Sequence, residues 1–283
     1  MTESNYKIVT MTRDQVDTAV GWAMREGWNP GLHDSSCYYQ ADPEGFLLGL
    51  LDDKPIATIS AVRYGDHFGF LGFYIVEPEF RGQGYGIQIW EKALDRLSGR
   101  TIGLDGVVEQ QPNYQKSGFE LAHRNIRFRG NLEDKAFDDP CVVPLAEFSF
   151  SELLQYDEPF FATSRPAFLK NWISQPGCHA IGYRLDNKLA GYAVMRRCRS
   201  GYKIAPLCAD SPEIAEALFQ ALLAKADTSE PVFLDVPEVN AEAMKLVRRH
   251  QMQTEFETAR MYRGTRPDLD LDRLYGVTSF EIG

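Results

Sequence analysis

Along the first 130 positions, the spacing of hydrophobic residues switches several times between the period of a helix and that of a strand. This pattern predicts a mixed α/β domain. Thr12 fits a helix N-cap, and apolar residues recur at helical spacing over the next three turns. Residues 87–94 predict an amphipathic helix, and residues 109–117 predict a short one. Short apolar runs bounded by turn residues predict six strands, at 6–10, 46–51, 56–64, 68–76, 101–107 and 119–129.

The second half of the chain repeats part of this pattern in weaker form. It predicts, in order, a helix at 217–226, a strand at 232–235, a helix at 240–250 and a strand at 255–263. Leu234-Asp235 stands where the first half has Leu104-Asp105, and the shared element order indicates an internal duplication. We therefore predict a domain of residues 1–130, a linker of residues 131–144 and a second domain of residues 145–283.

Composition narrows the class of protein. A chain of 283 residues with 44% hydrophobic residues suits two globular domains, and a formal net charge of −10 argues against nucleic-acid binding. Five cysteines, an odd number without C-x-x-C spacing, argue against a disulfide scaffold or a metal site. The first five residues show no secretion signal, and no apolar run is long enough to span a membrane. We expect a cytoplasmic protein of undetermined oligomeric state.

The strongest chemical signal is the glycine-rich loop at 81–86, which follows a strand and a proline turn and leads into a helix. Glycines let main-chain N–H groups approach an anion, and the helix N-terminus adds free N–H groups and a positive dipole end. This pattern predicts a pyrophosphate site. Ile87 breaks the G-x-G-x-x-G spacing of dinucleotide-binding folds, and no G-K-[ST] follows, so neither a Rossmann site nor a P-loop fits.

This loop resembles the R/Q-x-x-G-x-G/A signature of the GNAT superfamily of acetyl-CoA-dependent N-acetyltransferases. The matching positions are Val76, Pro78, Arg81, Gly82, Gly84 and Gly86. Tyr114, Gly118 and Phe119 are similar to the Y-x-x-x-G-F segment that follows the fifth strand of that family, so the resemblance covers roughly residues 5–130. Position 107 is Val where many relatives carry Asn, which indicates a short or irregular fourth helix.

The later half resembles the degenerate GNAT-like domain of two-domain members. The loop position there, residues 205–212, contains no glycine, and Val247 occupies the slot of Tyr114. The resemblance therefore implies an α/β fold with a mixed sheet and tandem GNAT-like domains, of which only the first binds acetyl-CoA.

The resemblance implies direct attack of an amine on the thioester of acetyl-CoA. In this reading Tyr114 protonates the departing thiolate and contacts the cofactor. The other implied cofactor-binding residues are Ile75 and Val76, beside the pantetheine arm, and Arg81, Gly82, Gln83, Gly84, Tyr85 and Gly86, around the pyrophosphate.

The base and the acceptor pocket are less defined. Glu77, beside the loop, is our candidate general base, with Asp105, Glu109, His33 and Asp34 as alternatives. The segment between the first two helices is the candidate acceptor site for a small amine or an amino acid, through Trp28, Asn29, His33 and Asp34, although it also fits a structural loop with Trp28 packed inward. An acyl-CoA sensor without activity and a protein N-acetyltransferase remain alternative functions.

Overall fold

The computed structural model of the chain describes residues 5–131, 137–227 and 229–283. Residues 132–136 of the predicted linker, and the first four residues used in the secretion-signal prediction, lie outside this part. Among the described residues, no helix combines the length and the apolar character needed to cross a membrane.

The first half forms the predicted elements in the predicted order. They are β1 (Tyr6–Thr10), α1 (Arg13–Arg25), α2 (Asp34–Ala41), β2 (Phe46–Leu51), β3 (Lys54–Tyr64), β4 (Phe68–Val76), α3 (Tyr85–Arg96), β5 (Thr101–Val107), α4 (Gln111–Lys116) and β6 (Glu120–Asn131). Thr12 caps α1 in a reciprocal capping box with Gln15, as the sequence predicts. Helix α4 has only six residues and follows a 3₁₀ turn, which agrees with the short fourth helix predicted from Val107.

The second half contains more elements than its sequence pattern predicts. They are β7 (Val142–Pro144), α5 (Phe150–Asp157), α6 (Pro166–Trp172), β8 (His179–Leu185), β9 (Lys188–Arg197), β10 (Tyr202–Ala209), α7 (Pro212–Leu223), β11 (Pro231–Pro237), α8 (Ala241–Arg249), β12 (Gln253–Arg263) and β13 (Leu274–Gly276). The sequence pattern predicts none of the strands between residues 142 and 209. Of these, β9 and β10 are buried along almost their whole length and therefore show little alternation.

The two halves exchange their last long strands. In the described chain, thirteen strands form one sheet in which β12 lies between β5 and β6, and β6 pairs with β11. Strand β12 runs antiparallel to β5 from Thr258 opposite Val107 to Arg263 opposite Ile102. The domain boundaries predicted near residues 130 and 145 remain a prediction about where the duplicated units begin and end. The sheet is continuous across these boundaries, since strands of both halves belong to it. A residue of the second half can therefore reach a site built by the first.

Strands β4 and β5 separate at one end and open the sheet. Their parallel pairing stops at Leu71 opposite Leu104. On the other edge of β4 the register with β3 shifts between Ile75 and Gly72, and Phe73 adopts φ 49°. One extra residue in a strand and a left-handed φ are the marks of a β-bulge, which bends the strand and leaves its main chain unpaired.

Candidate active site

A cavity of about 580 Å³ occupies the gap between β4 and β5. Its walls come from the splayed end of β4, the glycine-rich loop with the start of α3, the end of β5 and the ring of Tyr114. The cavity therefore joins the predicted pyrophosphate loop to the predicted proton donor. Of the predicted cofactor-binding residues, it is lined by Ile75, Val76, Arg81, Gly82, Gly84, Gly86 and Tyr114.

The glycine-rich loop lines this cavity and carries main-chain N–H groups that the protein leaves unbonded. Gly82 and Gly84 have φ of +76° and +87°, which residues with a side chain rarely adopt, and a Cβ at either position would meet open space. Gly84 is the N-cap of α3 and supplies no side chain to its free N–H groups. Within the described chain, the amides of residues 82–84 donate no hydrogen bond. These are the properties of an anion site at a helix N-terminus.

The loop side chains stabilise the loop itself. Arg81 donates from Nε to the Val76 carbonyl at 2.8 Å and forms an ion pair with Glu26 at 2.7 Å. Gln83 donates to the carbonyl of Glu79 at 2.7 Å. The Tyr85 ring packs against Tyr6 at 4.9 Å between centroids. Gln83 and Tyr85 do not line the cavity with their side chains, so their predicted role rests on the main chain alone.

Tyr114 is placed by close packing. Its ring lies 5.5 Å from the Trp90 ring, and a Cβ at position 106 would overlap it, so Gly106 makes its position possible. The side chain is 8% exposed, and its hydroxyl has no hydrogen-bond partner among the described residues. Burial, with a smaller contribution from Tyr74, raises the pKa of Tyr114 well above its ordinary value. The hydroxyl is therefore a stable proton carrier at neutral pH.

Glu77 does not reach the cavity. Both of its carboxylate oxygens are engaged by Arg25, at 2.5 and 3.3 Å, and its side chain is 15% exposed. The structure thus corrects its prediction as general base: the strand ends before Glu77, and the side chain turns outward to α1. Asp105 lines the cavity, but Arg260 holds it through two bonds, at 2.6 and 3.0 Å.

Four residues were predicted to bind the acceptor. Trp28 lines the cavity, and Asn29, His33 and Asp34 do not. Asn29 exchanges two hydrogen bonds with the main chain of Ser200 in the second half. Asp34 is fully buried in an ion pair with Arg196 at 2.7 Å, and His33 is exposed. The loop therefore contributes one wall residue, while Asn29 and Asp34 join the two halves of the chain.

Four residues of the second half complete the cavity, and sequence reasoning missed all of them. They are Phe256 and Thr258 on β12, and Phe280 and Glu281 in the segment 277–283. No local motif marks these positions, because the exchange of β12 and the path of segment 277–283 depend on long-range packing.

Segment 277–283 lies directly on the bulge of β4. The Ser60 hydroxyl donates to the Glu281 carbonyl at 3.2 Å, and a Cβ at position 72 would overlap the same carbonyl. Only glycine allows this approach of two main chains.

Gly72→Ala is therefore expected to displace segment 277–283 and to lower the free energy of unfolding by about 2 kcal/mol or more, since the clash involves main-chain atoms. Urea unfolding measures this change. Gly21→Ala in α1, where a Cβ meets nothing within 4 Å, is the matched control and should be neutral or stabilising by about 0.5–1 kcal/mol. Equal stability of Gly72→Ala and wild type would contradict the position of the segment.

At the corresponding position of the second half, residues of the chain itself satisfy or remove the free N–H groups at the start of α7. Ser211 caps α7 by accepting from the Ile214 amide, and Pro212 has no N–H to offer. This differs from the N-terminus of α3, where Gly84 supplies no side-chain cap.

Comparison with known proteins finds one family in both halves. A model described as "Acetyltransferase (GNAT) family" matches residues 13–119, and one described as "Acetyltransferase (GNAT) domain" matches residues 153–276. A protein of Pseudoalteromonas sp. named holothin acyltransferase is 32% identical over 93% of this chain and 89% of its own length.

Known structures show the same fold. A Pyrococcus horikoshii protein inferred to be an acetyltransferase superposes with a TM-score of 0.83 at 23% identity, over 98% of this chain and 96% of that one. A tandem GNAT protein from the clavulanic acid biosynthesis pathway superposes with a TM-score of 0.61 at 12% identity, over 93% of this chain and all of that one.

Proposed function

Because this chain belongs to the GNAT family of acyltransferases, with two GNAT domains in tandem, we propose that it transfers an acetyl group from acetyl-CoA to the amine of a small molecule. The tandem GNAT fold predicted from sequence is confirmed, as is the class of enzyme, an N-acyltransferase. Acetyl-CoA, the small amine and a cytoplasmic location are parts of the proposal. All five cysteines are free, which supports a reducing compartment.

One observation supports the proposal: the unpaired end of β4, the glycine-rich loop with its unbonded amides and Tyr114 all line one cavity. Acetyl-CoA supplies an acyl group activated as a thioester. The amides of residues 82–84 and the first turn of α3 would hold its pyrophosphate. Ile75 and Val76, which have lost their partner strand on the β5 side, would pair with the amides of its pantetheine arm.

The bulge and the tyrosine suit acyl transfer. Main-chain N–H groups at the bulge would stabilise negative charge on the acyl oxygen, because donors fixed in a buried site need no reorganisation. The Tyr114 hydroxyl would donate its proton to the sulfur as the thiol leaves.

The acceptor side favours a small molecule over a peptide. Phe256 and Phe280 from the second half line the cavity, so its acceptor side is walled by side chains of both halves. The relative named holothin acyltransferase supports acyl transfer as the reaction.

The proposal is tested by measuring thiol release from acetyl-CoA with a panel of small primary amines and a lysine-containing peptide. We expect turnover with at least one small amine and none with the peptide. Calorimetry should give one acetyl-CoA bound per chain. Tight binding without turnover on any amine would instead indicate a sensor, and preference for the peptide would indicate a protein acetyltransferase.

Gly84→Ala tests the loop. A Cβ at φ +87° costs about 1–2 kcal/mol and shifts the amides at the start of α3, so acetyl-CoA affinity should fall about tenfold or more in calorimetry. Gly99→Ala is the matched control: its φ is +80° and its Cβ also meets open space, but it lies in the turn after α3. Both variants should lose similar stability, and only Gly84→Ala should lose affinity. Equal affinities would show that the loop does not hold the cofactor.

A further inference from the structure

The carboxylate of Glu281 is an unusual group in this cavity. The residue is 3% exposed, yet it lines the cavity. Its Oε2 accepts from the Ser279 hydroxyl at 2.7 Å and from the Tyr38 hydroxyl at 3.2 Å. Its Oε1 has no hydrogen-bond partner among the described residues. Oε1 is not one of the fully buried, unpartnered side-chain atoms of the described residues, so solvent or a ligand can reach it and supply a donor.

Glu281 also lies where the transfer would occur. Its own carbonyl group is held against β4 beside Gly72, one residue before the bulge at Phe73. Glu281 and Tyr114 line the same cavity. In the proposed reaction, the bulge holds the acyl oxygen, so Glu281 is close to the carbon that is attacked.

The charged neighbours of Glu281 come from several elements. Arg127 on β6 and Lys203 on β10 are buried and interact electrostatically with Glu281. Arg127 forms a two-bond ion pair with Asp235, at 2.6 and 2.7 Å, and Lys203 donates to the Asn29 carbonyl at 3.1 Å. The Tyr38 hydroxyl, on α2, lies 3.2 Å from Glu281 Oε2 and also 3.2 Å from Oδ2 of the buried Asp34, so a second carboxylate shares this hydroxyl. Two cations, two hydroxyls and the Asp34 carboxylate thus lie around Glu281, and no cation in the described part of the chain forms an ion pair with it.

The walls around Glu281 are aromatic. Trp28 lies on one side, and Phe256 and Phe280 come from the second half. Arg127 packs over both phenylalanine rings, with its Cζ 5.8 Å from the Phe256 centroid and 5.0 Å from that of Phe280. Such walls favour an acceptor with a flat apolar body.

We propose that Glu281 is the general base, and that it takes the proton from a primary amine carried on a flat, apolar body. This inference rests on the proposed function and adds to it a residue and a class of acceptor. The sequence suggests Glu77 as the general base, and we assign that role to Glu281 instead.

The step balances as follows. An acceptor that arrives as an ammonium gives one proton to the Glu281 carboxylate, and the free nitrogen pair forms the N–C bond to the acyl carbon. The C–S bond breaks, and its electron pair leaves on sulfur, which takes the Tyr114 proton. The new amide nitrogen returns a proton to Tyr114 through water, and Glu281 releases its proton to solvent. The net products are the amide, the free thiol and one proton.

Glu281→Gln tests the proposal, because the amide keeps the size of the side chain and its partners but is not a base. With 2-phenylethylamine as the probe, kcat/KM at pH 7 should fall about 100-fold or more, while acetyl-CoA affinity is unchanged. The wild-type profile of kcat/KM should be flat through the neutral range. The variant should instead gain tenfold per pH unit, because only the neutral amine can react.

Glu257→Gln is the matched control, an exposed glutamate on β12 between two residues that line the cavity. It should keep the rate and profile of wild type, and Glu281→Asp should recover part of the rate. If Glu281→Gln stays within threefold of wild type with the same profile, Glu281 is not the base, and the proposed function still holds. If wild type acetylates no amine, the proposed function itself fails. If Glu281→Gln does not fold, a wild-type profile that rises tenfold per pH unit would overturn the proposal.

Discussion

Replacing Asp34 by alanine is expected to lower the free energy of unfolding by about 3–5 kcal/mol, which is the largest stability effect we predict. Asp34 is fully buried between the halves and pairs with Arg196 at 2.7 and 3.1 Å. It also accepts from the Gly31 amide at 2.7 Å. Its loss would leave a buried guanidinium whose one other contact among the described residues is the Trp172 ring, 4.2 Å from Cζ. Urea unfolding measures the change.

Asp17→Ala is the control for this prediction. Asp17 pairs with Arg13 at the surface with 59% of its side chain exposed, so its loss should cost less than about 1 kcal/mol. The double variant Asp34→Ala/Arg196→Met should recover part of the loss, since it removes the unpaired charge. An Asp34→Ala variant as stable as Asp17→Ala would contradict a structural role for the pair.

The same pair makes stability depend on pH in a defined direction. Burial alone would raise the pKa of Asp34, but Arg196, Lys203 and the Gly31 amide more than offset it and lower the pKa. A depressed carboxyl pKa stabilises the fold above the unfolded value of about 3.9 and loses that contribution as the pH falls through the folded value. The stability contributed by this pair should therefore persist to about pH 5 and decline in stronger acid.

Tyr114→Phe is expected to lower kcat about 100-fold and to leave acetyl-CoA affinity unchanged. The ring would keep its packing against Trp90 and Gly106, and only the unpartnered hydroxyl would be lost. Because burial raises the pKa of Tyr114, wild type should show no loss of activity from this group up to about pH 10. Steady-state rates and calorimetry across that range measure both effects.

Tyr275→Phe is the matched control, since Tyr275 is also a buried phenol but packs in the core of the second half. It should keep the wild-type rate. A Tyr114→Phe variant with unchanged kcat would show that the leaving thiol takes its proton from water or from another group.

The residues on the cofactor side of the site could be predicted from short sequence motifs. The glycine loop, the proline turn and the Tyr114 segment are short motifs whose residues are close in sequence, and the structure brings them to one cavity. Glu77 was misplaced because proximity to the loop in sequence does not decide which way a side chain turns, and Arg25 on α1 draws it outward.

The acceptor side could not be predicted from local patterns. Thr258 and Glu281 reach the cavity only because β12 inserts beside β5 and segment 277–283 lies on β4. Asp34 has the polarity of a binding residue, but its partner Arg196 is 162 positions away. The duplicated half is thus more than a degenerate copy, because it supplies four of the residues that line the cavity.

The most direct test follows the acyl group itself. Wild-type protein is incubated with acetyl-CoA labelled in the acetyl group and with 2-phenylethylamine, and the products are identified by mass spectrometry. Our account predicts that the label moves to the amine nitrogen as an amide, in step with release of free thiol. Label recovered as acetate would indicate a hydrolase, and label that remains on CoA would indicate a binding protein; either result, held across the amine panel, would contradict acyl transfer to a small amine.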